Sequence, residues 1–116
     1  MGDAVLKDVA YLLRKELRAF DLIYRIGGEE FLVLLPGAEL EQTEIVADQL
    51  RLAVSAGTVG GGERVTMSFG VGASKRGEAF DYDAIFEQAD AGLYDAKRCG
   101  RDRVCRAPAD RALALA

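Results

Sequence analysis

The sequence predicts an α+β fold in which helices pack on a mainly antiparallel sheet. Three observations carry that expectation. Elements run in the order helix, strand, strand, helix, strand, helix, strand; a Gly27-Gly28 pair separates two apolar strands; and three stretches repeat apolar residues at helical spacing. With 116 residues, half of them hydrophobic, the chain has material for one domain, taken as residues 1–106, with a tail from 107 to 116.

Each element has its own signal. From Asp3 to Arg18, Val5, Leu6, Val9, Leu12, Leu13 and Leu17 define an amphipathic helix, with Asp3 placed as its N-cap. Phe20 to Ile26 reads as a strand, Gly27-Gly28 as a two-residue turn needing positive φ, and Glu29 to Leu35 as the returning strand. The run Phe31 to Leu35 has no alternation, so it is expected to be covered on both faces. After Pro36-Gly37, "ELEQTEIVADQLRLAVSA" carries Leu40, Ile45, Val46, Leu50 and Val54 toward one side of a second helix. "RVTMSFGVGAS" is a strand whose glycines permit close backbone approach. "YDAIFEQADAGLYDAKRCG" is a third helix, with Tyr82, Ile85, Phe86, Ala89, Leu93 and Ala96 inward and Gly100 at C′. Tyr82, Phe86 and Tyr94 read as core rather than as a cofactor platform. "DRVCR" closes the domain as a short edge strand.

Composition excludes several function classes. Fifteen basic against 19 acidic side chains give a net charge of −4, which argues against a general nucleic-acid surface or a polybasic membrane anchor. An anionic ligand must therefore be held by a few placed cations. No apolar run approaches 18 residues and no signal peptide is evident, so a cytoplasmic location is expected. Histidine is absent and there are only two cysteines, so a zinc site is disfavoured and the cysteines read as reduced bystanders.

Glu29 and Glu30 stand out at the end of an apolar strand. A buried, unpaired carboxylate costs several kcal/mol, so these side chains need cationic partners or a ligand at the rim.

In this setting the residues resemble the GGDEF-domain diguanylate cyclases, whose signature tolerates the variant "GGEEF" at Gly27 to Phe31. Gly2-Asp3 is similar to the end of the family's G-H-x-x-G-D segment, and "RAFD", Arg18 to Asp21, to its R-x-x-D product site. "VTMSFGV" and "ADAGLYDAKRCGRDRV" resemble its third strand and its ending. The likeness covers nearly everything from Gly2 to Val104, with the motifs in order. It implies a nucleotidyl-cyclase-like fold with a ferredoxin-like core. It also implies condensation of two GTP molecules into cyclic di-GMP, with release of two pyrophosphates, across an antiparallel homodimer. By family position Glu29 is the metal ligand and assists deprotonation of the attacking hydroxyl, with Glu30 in a weaker catalytic or supporting role. Two Mg2+ ions per complete active site are implied, suited to hard carboxylate oxygens. Asp3 would accept from guanine N1 and N2, and Gly27 and Gly28 would let backbone lie against the nucleotide. Lys97 and Arg101 would grip phosphates, and Arg18 with Asp21 would bind cyclic di-GMP as feedback inhibitor.

Each residue also has a plainer role available. The glycine pair can be only a turn, Asp3 only a cap, Lys97 and Arg101 a complement to a helix dipole, and Arg18–Asp21 a salt bridge. A guanidinium that assists the product site in some members is replaced by Gln49, with Arg51 nearby. The family's first central strand, with its D-x-D-x-F-K-x-x-N-D run, has no counterpart here, so the chain reads as a truncated domain, weak or inactive alone and prone to self-association. Two further readings stand beside the enzyme: a binding module for cyclic di-GMP, and a dimerisation or regulatory element.

Overall fold

A computed structural model describes residues 2–27, 30–74 and 77–106. Its elements are α1 (Asp3–Glu16), β1 (Leu22–Gly27), β2 (Glu30–Leu34), α2 (Leu40–Ala56), β3 (Phe69–Val71), α3 (Tyr82–Arg98) and β4 (Val104–Arg106), in the order the sequence predicts.

The core forms where the two early helices meet the hairpin. Val9 and Leu13 of α1, Leu50 and Val54 of α2, and Val59 beyond α2 are fully or nearly fully buried. Ile23, Phe31, Val33, Met67 and Phe69 pack against them. Full burial of an aliphatic side chain is worth about 1.5–3 kcal/mol, so this cluster is the main stabilising unit. Because side chains alternate along a strand, Phe69 reaches this core while Gly70 turns to α3. A Cβ at Gly70 would lie 1.8 Å from the Ala89 carbonyl oxygen and 2.1 Å from the Leu93 nitrogen. Strand and helix thus touch backbone to backbone, as the glycines of this strand predicted.

The sheet is present in two pieces. β1 and β2 pair antiparallel from Leu22↔Leu34 to Gly27↔Glu30, with a register shift between Arg25 and Gly27. β3 and β4 pair parallel through three residues, which modifies the expectation of mainly antiparallel pairing. No ladder joins β2 to β3 among the described residues. Among the described residues β3 pairs with β4 alone, and it is three residues long instead of the predicted eleven.

Several local expectations are corrected. Gly2, not Asp3, is the N-cap of α1, and Asp3 is the first helical residue; a negative charge there still complements the helix dipole. Gly27 lies in β1 and its φ is outside the left-handed region, because the Gly27–Glu30 pair extends the ladder by one step. Gly28 falls outside the described residues. Ile45 is 59% exposed, since Ala47 rather than Ile45 takes the buried position on α2. Tyr82 and Tyr94 are exposed, and Tyr82 stacks on Phe86 at 5.8 Å instead of entering the core. At the other end of α3 the predicted stop holds: Gly100 has φ 126°, and Arg101 N–H donates to the Ala96 carbonyl at 2.8 Å.

Candidate functional site

A cleft of about 560 Å³ opens between the β1–β2 hairpin on one side and β3 with α3 on the other. Its volume lies within the range of small-molecule sites, about 300–1,000 Å³. Consecutive residues of both walls line it, Phe31 to Ala38 and Thr66 to Ser74, as the edge of a strand does and a face does not. Phe31 and Val33 also pack against the core, whereas Leu32 and Leu34, on the opposite face of β2, are not among the residues packed there and line the cleft only. The unalternating apolar run thus has one face on the core and its edge on this opening, and among the described residues no second layer covers it.

Among the lining residues described, the charged ones are Glu30, Asp90, Lys97 and Arg101. Glu30 from β2 thus lines the same cleft as Lys97 and Arg101 from the end of α3, residues 67 or more positions apart in sequence. The helix presents the cations because Lys97 sits in its last turn and Arg101 follows the glycine stop. Arg101 and Asp102 both have positive φ, 64° and 47°. Such a conformation costs a non-glycine residue roughly 1–2 kcal/mol, least for Asp and Asn.

Other expected site residues stand apart. Asp3 is exposed at the start of α1 and is not among the lining residues. Gly27 does not line the cleft either, and a Cβ there would meet nothing within 4 Å. Gly28 and Glu29 lie outside the described residues. Among those described, no group of three or more Asp, Glu, His or Cys side chains converges on a metal position. On their own these residues do not fit a magnesium cage. Asp90 was missed in sequence, being one of many acidic residues on a helix with nothing to set it apart.

Arg18 and Asp21 form a second constellation, outside the cleft lining. The Arg18 guanidinium donates to both carboxylate oxygens of Asp21, with contacts at 2.9–3.2 Å, and the Arg18 backbone N–H donates at 2.8 Å. Asp21 is 2% exposed, whereas the Arg18 side chain is 52% exposed and lies over Phe20 at 4.3 Å. Hydrogen bonding from Arg18 holds the Asp21 carboxyl below the usual carboxylate range against the opposing effect of burial. The predicted pair is therefore formed, with its cation facing outward.

Three helices, a β-hairpin and a parallel strand pair, with Glu30, Lys97 and Arg101 lining one cleft, make a small α+β domain. Comparison with known proteins gives the family. The profile described as "Diguanylate cyclase, GGDEF domain" matches residues 1–103, and the chain belongs to that family. It is 47% identical over 106 residues to the diguanylate cyclase DgcP of Pseudomonas aeruginosa, an alignment covering 89% of this chain and 16% of that protein. The chain thus spans about a sixth of that relative's length. Its fold is similar to the active GGEEF domain of a diguanylate cyclase from Vibrio cholerae, with TM-score 0.79, 31% identity, and coverage of 89% of this chain and 66% of that one. It is also similar to the GGDEF domain of DgcB from Caulobacter crescentus, solved in complex with c-di-GMP, with TM-score 0.70, 27% identity, and coverage of 87% and 61%.

Proposed function

We propose that residues 1–106 are the nucleotide-binding part of a diguanylate cyclase, condensing two GTP molecules into cyclic di-GMP as part of an antiparallel homodimer. The observation that carries this reading is that Glu30, Lys97 and Arg101 line one cleft in a chain of this family.

In the proposed reaction the 3′-hydroxyl oxygen of one GTP bonds to the α-phosphorus of the other. The bond from α-phosphorus to the bridging oxygen breaks, pyrophosphate leaves, and the hydroxyl proton passes to Glu29. A second identical step closes the ring. Lys97 and Arg101 hold the β- and γ-phosphates as placed cations in an otherwise acidic chain. Glu30 supports the hairpin tip from the cleft side, and the carboxylate of Asp3 accepts from guanine N1 and N2, a donor pair that adenine lacks. Gly27, with open space where a Cβ would stand, would let the nucleotide approach, and the resemblance gives Gly28 the same role. The family position of Glu29 implies magnesium, which would supply charge neutralisation at the phosphates; the described residues alone do not close a cage around it. Among the described residues β2 and β3 share no ladder, and on that ground turnover by this chain alone is expected to be slow.

A second role rests on a separate observation. The buried Asp21 presents an outward-facing Arg18, and DgcB was solved with c-di-GMP, which supports a product-binding site at Arg18 and Asp21 used for feedback inhibition. The setting we propose is the cytoplasm, where GTP is available.

Calorimetric titration with GTP and ATP tests the main reading. GTP is expected to bind at least about tenfold more tightly, with the preference lost in Asp3→Ala. Equal affinity for the two nucleotides would contradict it.

A further inference from the structure

We infer that Arg51 on α2 is a positioning residue for the phosphate-binding cations: through Asp102 it fixes the left-handed turn at Gly100–Asp102 and so aims Arg101 into the cleft. The inference rests on the reading of Lys97 and Arg101 given above.

Arg101 and Asp102 are the only non-glycine residues with positive φ among those described, and they are consecutive. A turn of that kind persists only where its surroundings over-determine it. The contacts that do so come from three parts of the chain. Arg101 N–H donates to the Ala96 carbonyl at 2.8 Å, tying the turn to α3. Asp102 N–H donates to Ser68 Oγ at 3.0 Å, tying it to the segment entering β3. Arg51 Nη1 donates to Asp102 Oδ1 at 3.1 Å, across 51 positions of sequence.

Arg51 is suited to this by being held itself. Its Nε donates to Asp48 Oδ1 at 2.8 Å, so the guanidinium spans two carboxylates, and its side chain is only 20% exposed. Arg51 does not line the cleft, whereas Arg101 does. Its influence on a bound anion therefore passes through the turn. A lysine retains the charge but cannot offer two separate N–H groups in a fixed fork, which separates positioning from simple electrostatics.

The experiment measures binding of inorganic tripolyphosphate to the whole chain, with backbone NMR shifts of residues 100–103 read in parallel. Arg51→Gln is expected to weaken binding at least about fivefold and to move those shifts out of the left-handed range. Arg51→Lys should fail to restore either. Asp102→Asn retains an acceptor for Arg51 and tolerates positive φ, so it should bind more tightly than Asp102→Ala. Full binding by Arg51→Lys, or unchanged shifts in Arg51→Gln, would overturn the inference. Should Arg51→Gln not fold, equal affinity of the two Asp102 variants overturns it as well. Arg101→Ala separates the two levels: undiminished binding in that variant removes the reading of the phosphate site and this inference with it, whereas weakened binding there with none in Arg51→Gln removes the inference alone.

Discussion

The backbone N–H of Arg18 and its guanidinium both close on the carboxylate of Asp21, which is almost fully buried while its partner is half open to solvent. Arg14 Nη1 adds a bond to the Asp21 carbonyl at 2.7 Å, so the link between α1 and β1 is fixed from both ends. Since the folded state lowers the Asp21 pKa, the pair contributes its stability above the ordinary carboxylate range and loses it as pH falls through the lowered value. Acid titration of the melting temperature should therefore show a decline that is flattened in Asp21→Asn. Near neutral pH that variant should lose about 1–3 kcal/mol. A wild-type acid profile in Asp21→Asn would contradict this account.

Gly70→Ala tests the contact between β3 and α3. The added methyl would meet backbone atoms of Ala89 and Leu93, which cannot swing away as a side chain can. A loss of about 3 kcal/mol or more is expected in urea unfolding. Gly27→Ala is the counterpart, with open space around its Cβ. Its stability should change by no more than about 0.5 kcal/mol, so any loss of GTP binding would report on the site and not on folding.

Lys97→Ala and Arg101→Ala should each weaken GTP binding about tenfold or more, as expected for a charge-assisted phosphate contact. Both residues are exposed, and the dipole contribution of a helix-end cation is only about 0.3–1 kcal/mol. Melting temperatures should stay close to that of the parent chain. Unchanged GTP affinity with lowered stability would assign both residues to helix capping.

Both cysteines are free, with Cys99 exposed and Cys105 half-buried in β4. Burial raises the Cys105 thiol pKa and so lowers its thiolate fraction. Thiol labelling near neutral pH should modify one cysteine quickly and the second only slowly, until denaturant is added. Equal rates in the folded chain would contradict the packing of β4.

Much of the fold could be read from the sequence because its strongest signals are local. Helical spacing located α1, α2 and α3, and Gly100 marked the end of α3 correctly. Packing between distant elements was less legible: Ile45 and Ala47 are both apolar, and only the tertiary fit decides that the smaller one faces inward. The separation of the two strand pairs, the parallel pairing of β3 with β4 and the apolar cleft between them depend on backbone partners that no local pattern encodes. Family resemblance singled out Lys97 and Arg101, which both line the cleft, whereas the contacts of Arg51 and Ser68 with Asp102 lie 51 and 34 positions apart. Asp3 shows the opposite limit, since a helix-start aspartate looks alike in sequence whether it caps, complements the dipole or awaits guanine.

The most direct test replaces the matched 106 residues of DgcP with the corresponding stretch of this chain and measures cyclic di-GMP made from GTP. Product is expected from the chimera, and its loss on Glu29→Gln. A folded chimera that makes no cyclic di-GMP, or one that keeps its rate after Glu29→Gln, would contradict it.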